Sequence, residues 1–241
     1  PADAKIKLIS GEKNESMEVT WDRLSQTQMP SGLVLHQKVL QYFIKVRKSS
    51  APVNLTIRTS AKAPAGSGLG GSSAVNISLC ATLWCWANGI KEFDFENDGY
   101  PLIEIARDIE TGILGTPAGM QDYFGALYGG LQSIEWNVAQ HQRAWLPQES
   151  LAGLENRLLL FYSGLSRNSG INNWSVFKSF FDQSPDTRTR LKQIGAAAVD
   201  LKKKLIAKDW KAAGLAIRNE WEARRGLALG ISTPVIDRAF E

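Results

Sequence analysis

Lys5–Ser10 reads Lys-Ile-Lys-Leu-Ile-Ser, with apolar side chains at alternate positions, the period of a strand with one buried face. A polar turn containing Gly11 and Asn14 separates it from a second strand at residues 17–21. The period changes over residues 34–48, where Val34, Leu35, Val39, Leu40, Phe43 and Val46 recur at three- and four-residue spacing and predict an amphipathic helix. Alternation returns at residues 53–60, with Val53, Leu55 and Ile57 on one face and Asn54, Thr56 and Arg58 on the other. Residues 72–88 are small and apolar enough for a buried helix, and 101–110 predict another. Strands are expected at 130–136 and 157–163. From Ile171 the chain turns helical, with long amphipathic segments at 188–208 and 210–229. The shift from mixed strand and helix to mostly helix sets the expected domain boundary near residue 150, giving domains at 1–150 and 151–241. There is no internal repeat and no low-complexity linker.

The composition narrows the class. With 44% hydrophobic and 22% charged residues, the 241-residue chain is globular rather than disordered. A net charge of +4 is too small for a nucleic-acid footprint at this length. Cys80 and Cys85 are the only cysteines, which excludes a disulfide scaffold and suits a reducing compartment. His36 and His141 are far apart and unaccompanied by cysteine, which argues against a His/Cys zinc site. No apolar run reaches the length of a membrane span. The expectation is a cytoplasmic protein whose partners include neither membrane nor nucleic acid.

Between the strand at 53–60 and the helix at 72–88 lies the most unusual segment. Residues 64–74 read Pro-Ala-Gly-Ser-Gly-Leu-Gly-Gly-Ser-Ser-Ala. Glycines let the backbone take positive φ and approach a ligand closely, and a helix start directly afterwards presents free amides and a positive dipole end to an anion. Ser72 and Ser73 add hydroxyls that can cap the helix, touch phosphate or ligate Mg²⁺. A flexible surface turn with a capping serine is the plainer alternative. No lysine follows the glycines, so this is not a Walker loop. Gly66, Gly68 and Gly71 satisfy Gly-x-Gly-x-x-Gly with Glu92 about twenty residues on, so a dinucleotide-dependent oxidoreductase stays open. Against it, residues 61–65 intervene between strand and turn, and no βαβ alternation follows.

A second motif, residues 110–123, reads Glu-Thr-Gly-Ile-Leu-Gly-Thr-Pro-Ala-Gly-Met-Gln-Asp-Tyr: a helix end, a glycine-proline loop and an acid. Asp122 suits a helix N-cap, and it equally suits a carboxylate that orients or deprotonates an attacking hydroxyl beside a phosphate loop.

Together these segments resemble the GHMP kinases, which phosphorylate galactose, homoserine, mevalonate and related small molecules. Pro-x-Gly-x-Gly-Leu-Gly followed by serines and alanine is similar to the family's central motif, here Pro64, Gly66, Ser67, Gly68, Leu69, Gly70, Gly71, Ser72 and Ser73. Gly71 stands where many members carry the first serine of a pair. Gly115-Thr116-Pro117-Ala118-Gly119-Met120-Gln121-Asp122 resembles the galactokinase form of a second motif, and Gln121–Gly130 the corresponding stretch of bacterial heptose-phosphate kinases. Mevalonate kinases have one residue fewer before the aspartate.

The resemblance implies an α+β, two-domain fold: an N-terminal domain like the second domain of ribosomal protein S5, then a ferredoxin-like C-terminal domain. It implies ATP- and Mg²⁺-dependent transfer of a phosphoryl group to a hydroxyl of a sugar or sugar phosphate. Residues 64 and 66–73 would wrap the ATP phosphates, Ser72 and Glu110 would hold Mg²⁺, and Asp122 would be the catalytic base. Gly119, Gln121, Asp122, Arg167 and Asn172 would face the substrate, with Asn173 and Trp174 as further pocket candidates. A mevalonate-type acceptor, or a nucleotide-binding module without catalysis, is the alternative. The family's N-terminal sugar-contacting motif and C-terminal glycine-rich motif do not occur here, so the chain is expected to be truncated at both ends, leaving the strands at 5–10 and 53–60 short of a neighbour. Cys80 and Cys85 are expected to be buried structural thiols, His36 a partly exposed structural histidine, and Lys202, Lys203, Lys204, Lys208 and Lys211 the solvated face of helices.

Overall fold

The structure, a computed structural model, describes residues 4–47, 52–64, 66–138, 141–161 and 169–240, with only the backbone of 169–172 and 240. The chain divides into two compact units, Pro1–Tyr128 and Gly129–Glu241.

In the first unit, strand β1 (Lys5–Ser10) pairs antiparallel with β2 (Glu15–Thr20), with Lys5 opposite Thr20, and parallel with β3 (Leu55–Thr59), with Ile6 opposite Leu55. The sheet order is β2-β1-β3. Thus β1, expected to lack a neighbour, is flanked on both edges, while among the described residues β3 bonds to β1 alone. Ile6, Leu8 and Ser10 are buried and Lys5 and Lys7 exposed, the two-residue period of a one-sided sheet. Helix α1 (Val34–Val46) follows the predicted span and turns His36, Gln37, Val39, Leu40 and Phe43 inward. Gln37 satisfies its buried amide by donating to the carbonyls of Leu24 (2.6 Å) and Thr27 (2.9 Å).

Helix α2 (Gly71–Asn88) packs against α1, α3 (Gly99–Leu114) and α4 (Gln121–Tyr128), which is why its sequence is small and apolar all round rather than striped. It contributes Ile77, Leu79, Cys80, Leu83 and Ala87 to the core; α3 adds Leu102, Ile103 and Ala106, and α4 adds Tyr123 and Phe124. Each large aliphatic side chain so buried is worth about 1.5–3 kcal/mol. Gly89 and Gly115 stop α2 and α3 in the left-handed conformation at the residue after each helix.

The second unit opens with a two-stranded antiparallel sheet, β4 (Gln132–Trp136) and β5 (His141–Trp145), followed by α5 (Gln148–Glu155), α6 (Ser169–Phe181), α7 (Pro185–Ile206), α8 (Trp210–Arg225) and α9 (Pro234–Phe240). Ser184 and Asp209 cap α7 and α8 by accepting from the amides of Thr187 and Ala212. Ser150 Oγ donates to the carbonyl of Leu205 (2.9 Å) and ties α5 to α7. The boundary between the two units falls after Tyr128, whereas the sequence placed it near residue 150.

The mixed helix and sheet content is the expected α+β class. Three local expectations are corrected. Residues 158–161 form no strand: Leu158, Leu159, Leu160 and Phe161 are exposed and pair with no strand among the described residues, and 162–163 lie outside them. An apolar run imitates a buried strand when read without its partner. His36 is 1% exposed, not partly exposed, because α1 presses it against the end of β3. Cys85 is only partly buried, unlike Cys80. Among the described residues no helix is long and apolar enough to cross a membrane.

Candidate active site

The glycine-rich segment leaves β3 through a fastened strand end. Gly11 N–H donates to the carbonyl of Thr59 (2.9 Å), and a Cβ on Gly11 would fall 2.9 Å from that oxygen, so the approach requires glycine. Thr59 Oγ1 donates to the Glu12 carboxylate (2.9 and 3.1 Å), which leaves its lone pairs to His36 Nε2 at 2.9 Å. Burial lowers the His36 pKa below its ordinary value against the opposing pull of the Glu12 charge and the Gly32 backbone.

Beyond this anchor, Gly66, Gly68 and Gly70 have φ of 72°, 78° and 67°. Alternate residues in the left-handed region curl successive amides towards one side, the concave arrangement that binds anions. Gly70 is the N-cap of α2, and the first intrahelical bond is Ala74 N–H to the Gly70 carbonyl (2.9 Å). The amides of Gly71, Ser72 and Ser73 therefore precede the first donor of the helix ladder and have no acceptor within it. Pro64, Gly66, Gly68, Leu69 and Ser72 are exposed, Ser67, Gly70 and Gly71 half-buried, and Ser73 buried.

Helix α3 ends one turn after Glu110, and the loop 115–120 returns the chain to α4. Ala118 N–H donates to Thr111 Oγ1 (3.3 Å), and Arg107 Nη1 lies 3.2 Å from Met120 Sδ. Asp122 is the second residue of α4 and so is not its N-cap. It is exposed, and a Cβ added to Gly70 would lie 3.5 Å from both Cβ and Cγ of Asp122. The acid of the second motif thus lies beside the last left-handed glycine of the first. Gln121 folds back over Gly119, within 2.5 Å of where a Cβ there would sit.

Behind Asp122, the fully buried Tyr123 hydroxyl bonds to Glu110 Oε2. Asn76 Nδ2 donates to the Tyr123 oxygen and to the Ala106 carbonyl, both at 2.9 Å, and Cys80 Sγ donates to Asn76 Oδ1 (3.4 Å). Burial, then the bonded Glu110 carboxylate, raises the Tyr123 pKa far above the ordinary phenol value, so the hydroxyl keeps its proton. Through this chain Glu110 is tied to Asn76, one helical turn from Ser72 and Ser73. Neither Asn76 nor Tyr123 is among the residues expected from sequence; an amide in an otherwise apolar helix, four residues from Ser72, is the only trace of it there.

The structure therefore brings the glycine loop, Ser72, Ser73, Glu110 and Asp122 to one end of the first unit. Arg167 lies outside the described residues, as does the Asn172 side chain; Asn173 and Trp174 are exposed on α6. Among the described residues no three His, Cys, Asp or Glu side chains cluster as a metal site. One carboxylate, Glu110, tied through Tyr123 to Asn76 one helical turn from the exposed Ser72 hydroxyl, matches instead the few protein ligands that Mg²⁺ takes when phosphates supply the rest. The residues present fit a Mg²⁺-nucleotide.

Residues 35–130 match the family model described as the GHMP kinases N terminal domain. This segment has the sequence pattern of a GHMP kinase N-terminal domain. Over 215 residues the chain is 22% identical to D-glycero-alpha-D-manno-heptose 7-phosphate kinase of Campylobacter jejuni subsp. jejuni serotype O:2, a match covering 86% of this chain and 58% of that one. It thus spans less than two thirds of the length of that curated relative. A solved Campylobacter jejuni protein described as a sugar kinase superposes with a TM-score of 0.65 at 20% identity, over 92% of this chain and 62% of that one. Galactokinase of Lactococcus lactis superposes at 0.62 and 13% identity, over 98% of this chain and 68% of that one. At such identities the shared property is the GHMP kinase fold.

Proposed function

We propose that the chain is the nucleotide-binding part of a kinase that moves the γ-phosphoryl group of ATP to a hydroxyl of a sugar or sugar phosphate. The observation that carries this reading is the close approach of Asp122 to Gly70, within reach of a single added methyl, at the end of a loop with three left-handed glycines. Mg²⁺-ATP, when bound, supplies the transferable phosphoryl group and the charge that shields its oxygens. The chain's own residues do the rest. Amides of 66–73 hold phosphate oxygens; Glu110 and Ser72 hold the metal. Asp122 orients the acceptor hydroxyl and accepts its proton as the oxygen attacks, work worth about 10²–10⁴ in rate. The curated relative's name gives a heptose phosphate as its acceptor, which favours a phosphorylated sugar here.

Thermal shift with ATP, ADP and NAD, followed by turnover with a panel of sugars, sugar phosphates and mevalonate, tests the assignment. ATP and ADP should stabilise the protein and NAD should not. Asp122→Asn should keep nucleotide binding and lose most turnover; near-normal kcat in that variant removes Asp122 from the mechanism. A shift by NAD alone would replace the kinase reading with an oxidoreductase, and turnover of mevalonate alone would move the acceptor class.

A further inference from the structure

Resting on the reading of Glu110 as the carboxylate that holds Mg²⁺, we propose that Tyr123 is a positioning residue for that metal, fixing one Glu110 oxygen so that the other is presented to the cation. A glutamate one turn from a helix end has three free torsions and here is only partly buried, so by itself it samples several rotamers. The Tyr123 hydroxyl removes that freedom. Its single proton goes to Glu110 Oε2, and its oxygen accepts from Asn76, whose second proton goes to the Ala106 carbonyl. Asn76 Oδ1 in turn accepts from Cys80. The Ala106 carbonyl, 3.5 Å from the Tyr123 oxygen, is a much longer alternative for that proton than Glu110, so donation runs preferentially to the carboxylate, and α2, α3 and α4 each contribute to the chain. Tyr123 also follows Asp122 directly, so one turn of α4 sets both the carboxylate beside Gly70 and the clamp on Glu110. A ligating carboxylate held by a hydrogen-bonded outer partner commonly loses about 10–100-fold in metal affinity when that partner is removed.

The test is the Mg²⁺ dependence of ADP affinity, read by titration calorimetry on the 241-residue chain from EDTA to millimolar Mg²⁺; it needs no turnover. Tyr123→Phe should bind ADP like the unmodified protein in EDTA. It should need at least about tenfold more Mg²⁺ to reach the metal-tightened affinity. Glu110→Gln should shift the Mg²⁺ dependence at least as far, and the double variant no further than Glu110→Gln alone, because both remove one coupled unit. A merely structural role would weaken metal-free ADP binding equally. If Glu110→Gln shifts the Mg²⁺ dependence and Tyr123→Phe does not, the positioning role is overturned and the metal role of Glu110 stands. If Glu110→Gln shifts nothing, both fall. Should Tyr123→Phe not fold by circular dichroism, Asn76→Ala leaves the tyrosine in place but unfastened. It should shift the dependence in the same direction, and its absence in folded protein overturns the proposal.

Discussion

Gly70 and Gly71 are neighbours at the start of α2, and the structure assigns them opposite responses to the same substitution. Gly70 sits at φ 67°, where an L-residue pays about 1–2 kcal/mol for its Cβ. The new methyl of Gly70→Ala would meet Asp122 at 3.5 Å, an ordinary contact, so sterics add little and the backbone term stands alone. Gly71 has no positive φ, and a Cβ there meets nothing within 4 Å. Gly71→Ala should therefore stabilise by about 0.4–1 kcal/mol through the unfolded chain. The two variants should differ by about 1.5–3 kcal/mol, the sum of these terms. Amide exchange of residues 77–87 reads the opening of the first unit without assuming that both units unfold together. Gly70→Ala should lower that protection and also weaken ADP binding, since the left-handed turn shapes the loop. Equal protection in the two variants would refute the left-handed assignment, as would a loss on Gly71→Ala.

Acid should weaken the first unit before its carboxylates titrate. The His36 pKa is lowered on folding, so its contribution is complete above its ordinary value of 6.5 and is lost as pH falls from there towards the folded value. Urea stability measured from pH 8 to 5 should decline below about 6.5, and the decline should flatten in His36→Gln. Burial raises the thiol pKa of Cys80 and, with the Asp98 charge, that of Cys85, but only Cys85 reaches solvent. An alkylating reagent followed by peptide mass spectrometry should modify Cys85 in native protein and Cys80 only at the rate of opening; equal rates would contradict the packing of α2. Gly99→Ala should destabilise by about 1–3 kcal/mol in thermal unfolding, because its Cβ would lie 2.2 Å from the Tyr128 hydroxyl oxygen and 2.9 Å from Cζ, forcing the ring to move. An unchanged melting temperature would show that the ring has room.

Where burial is one-sided, the sequence displays it. β1, β3 and α1 appear at their predicted places because a sheet face or helix stripe meets the core and the opposite face meets water. The glycine loop was equally legible, since left-handed backbone leaves few residues to choose from. The strand expected at 157–163 misled because apolarity reports a tendency to be covered, not the presence of a cover. β5 escaped notice because His-Gln-Arg-Ala-Trp has hardly any alternation and is held by its pairing with β4. Tyr123 and Asn76 escaped for a different reason. Their bonds join residues 13 and 47 positions apart, and such separations carry no periodic signal. A tyrosine beside an acid reads as any core aromatic until the third helix is in place.

The sheet order also sets when the phosphate loop comes into being. β1 reaches β2 through a short turn, whereas its parallel partner β3 must be brought in from far along the chain, as in the bond from Lys5 N–H to Asn54 Oδ1, 49 residues away. Closing that larger loop forfeits more chain entropy before any contact rewards it, so the β1–β2 hairpin has the shorter route to formation and β3 docks later. The glycine segment hangs directly from β3 and is shaped by Thr59, so it is assembled after the slow step rather than before it. A nucleotide meeting a refolding chain then finds no seat until the barrier has been crossed. Its effect falls on the escape from the native state: ligand lengthens the lifetime of the folded unit and leaves the rate of refolding where it was.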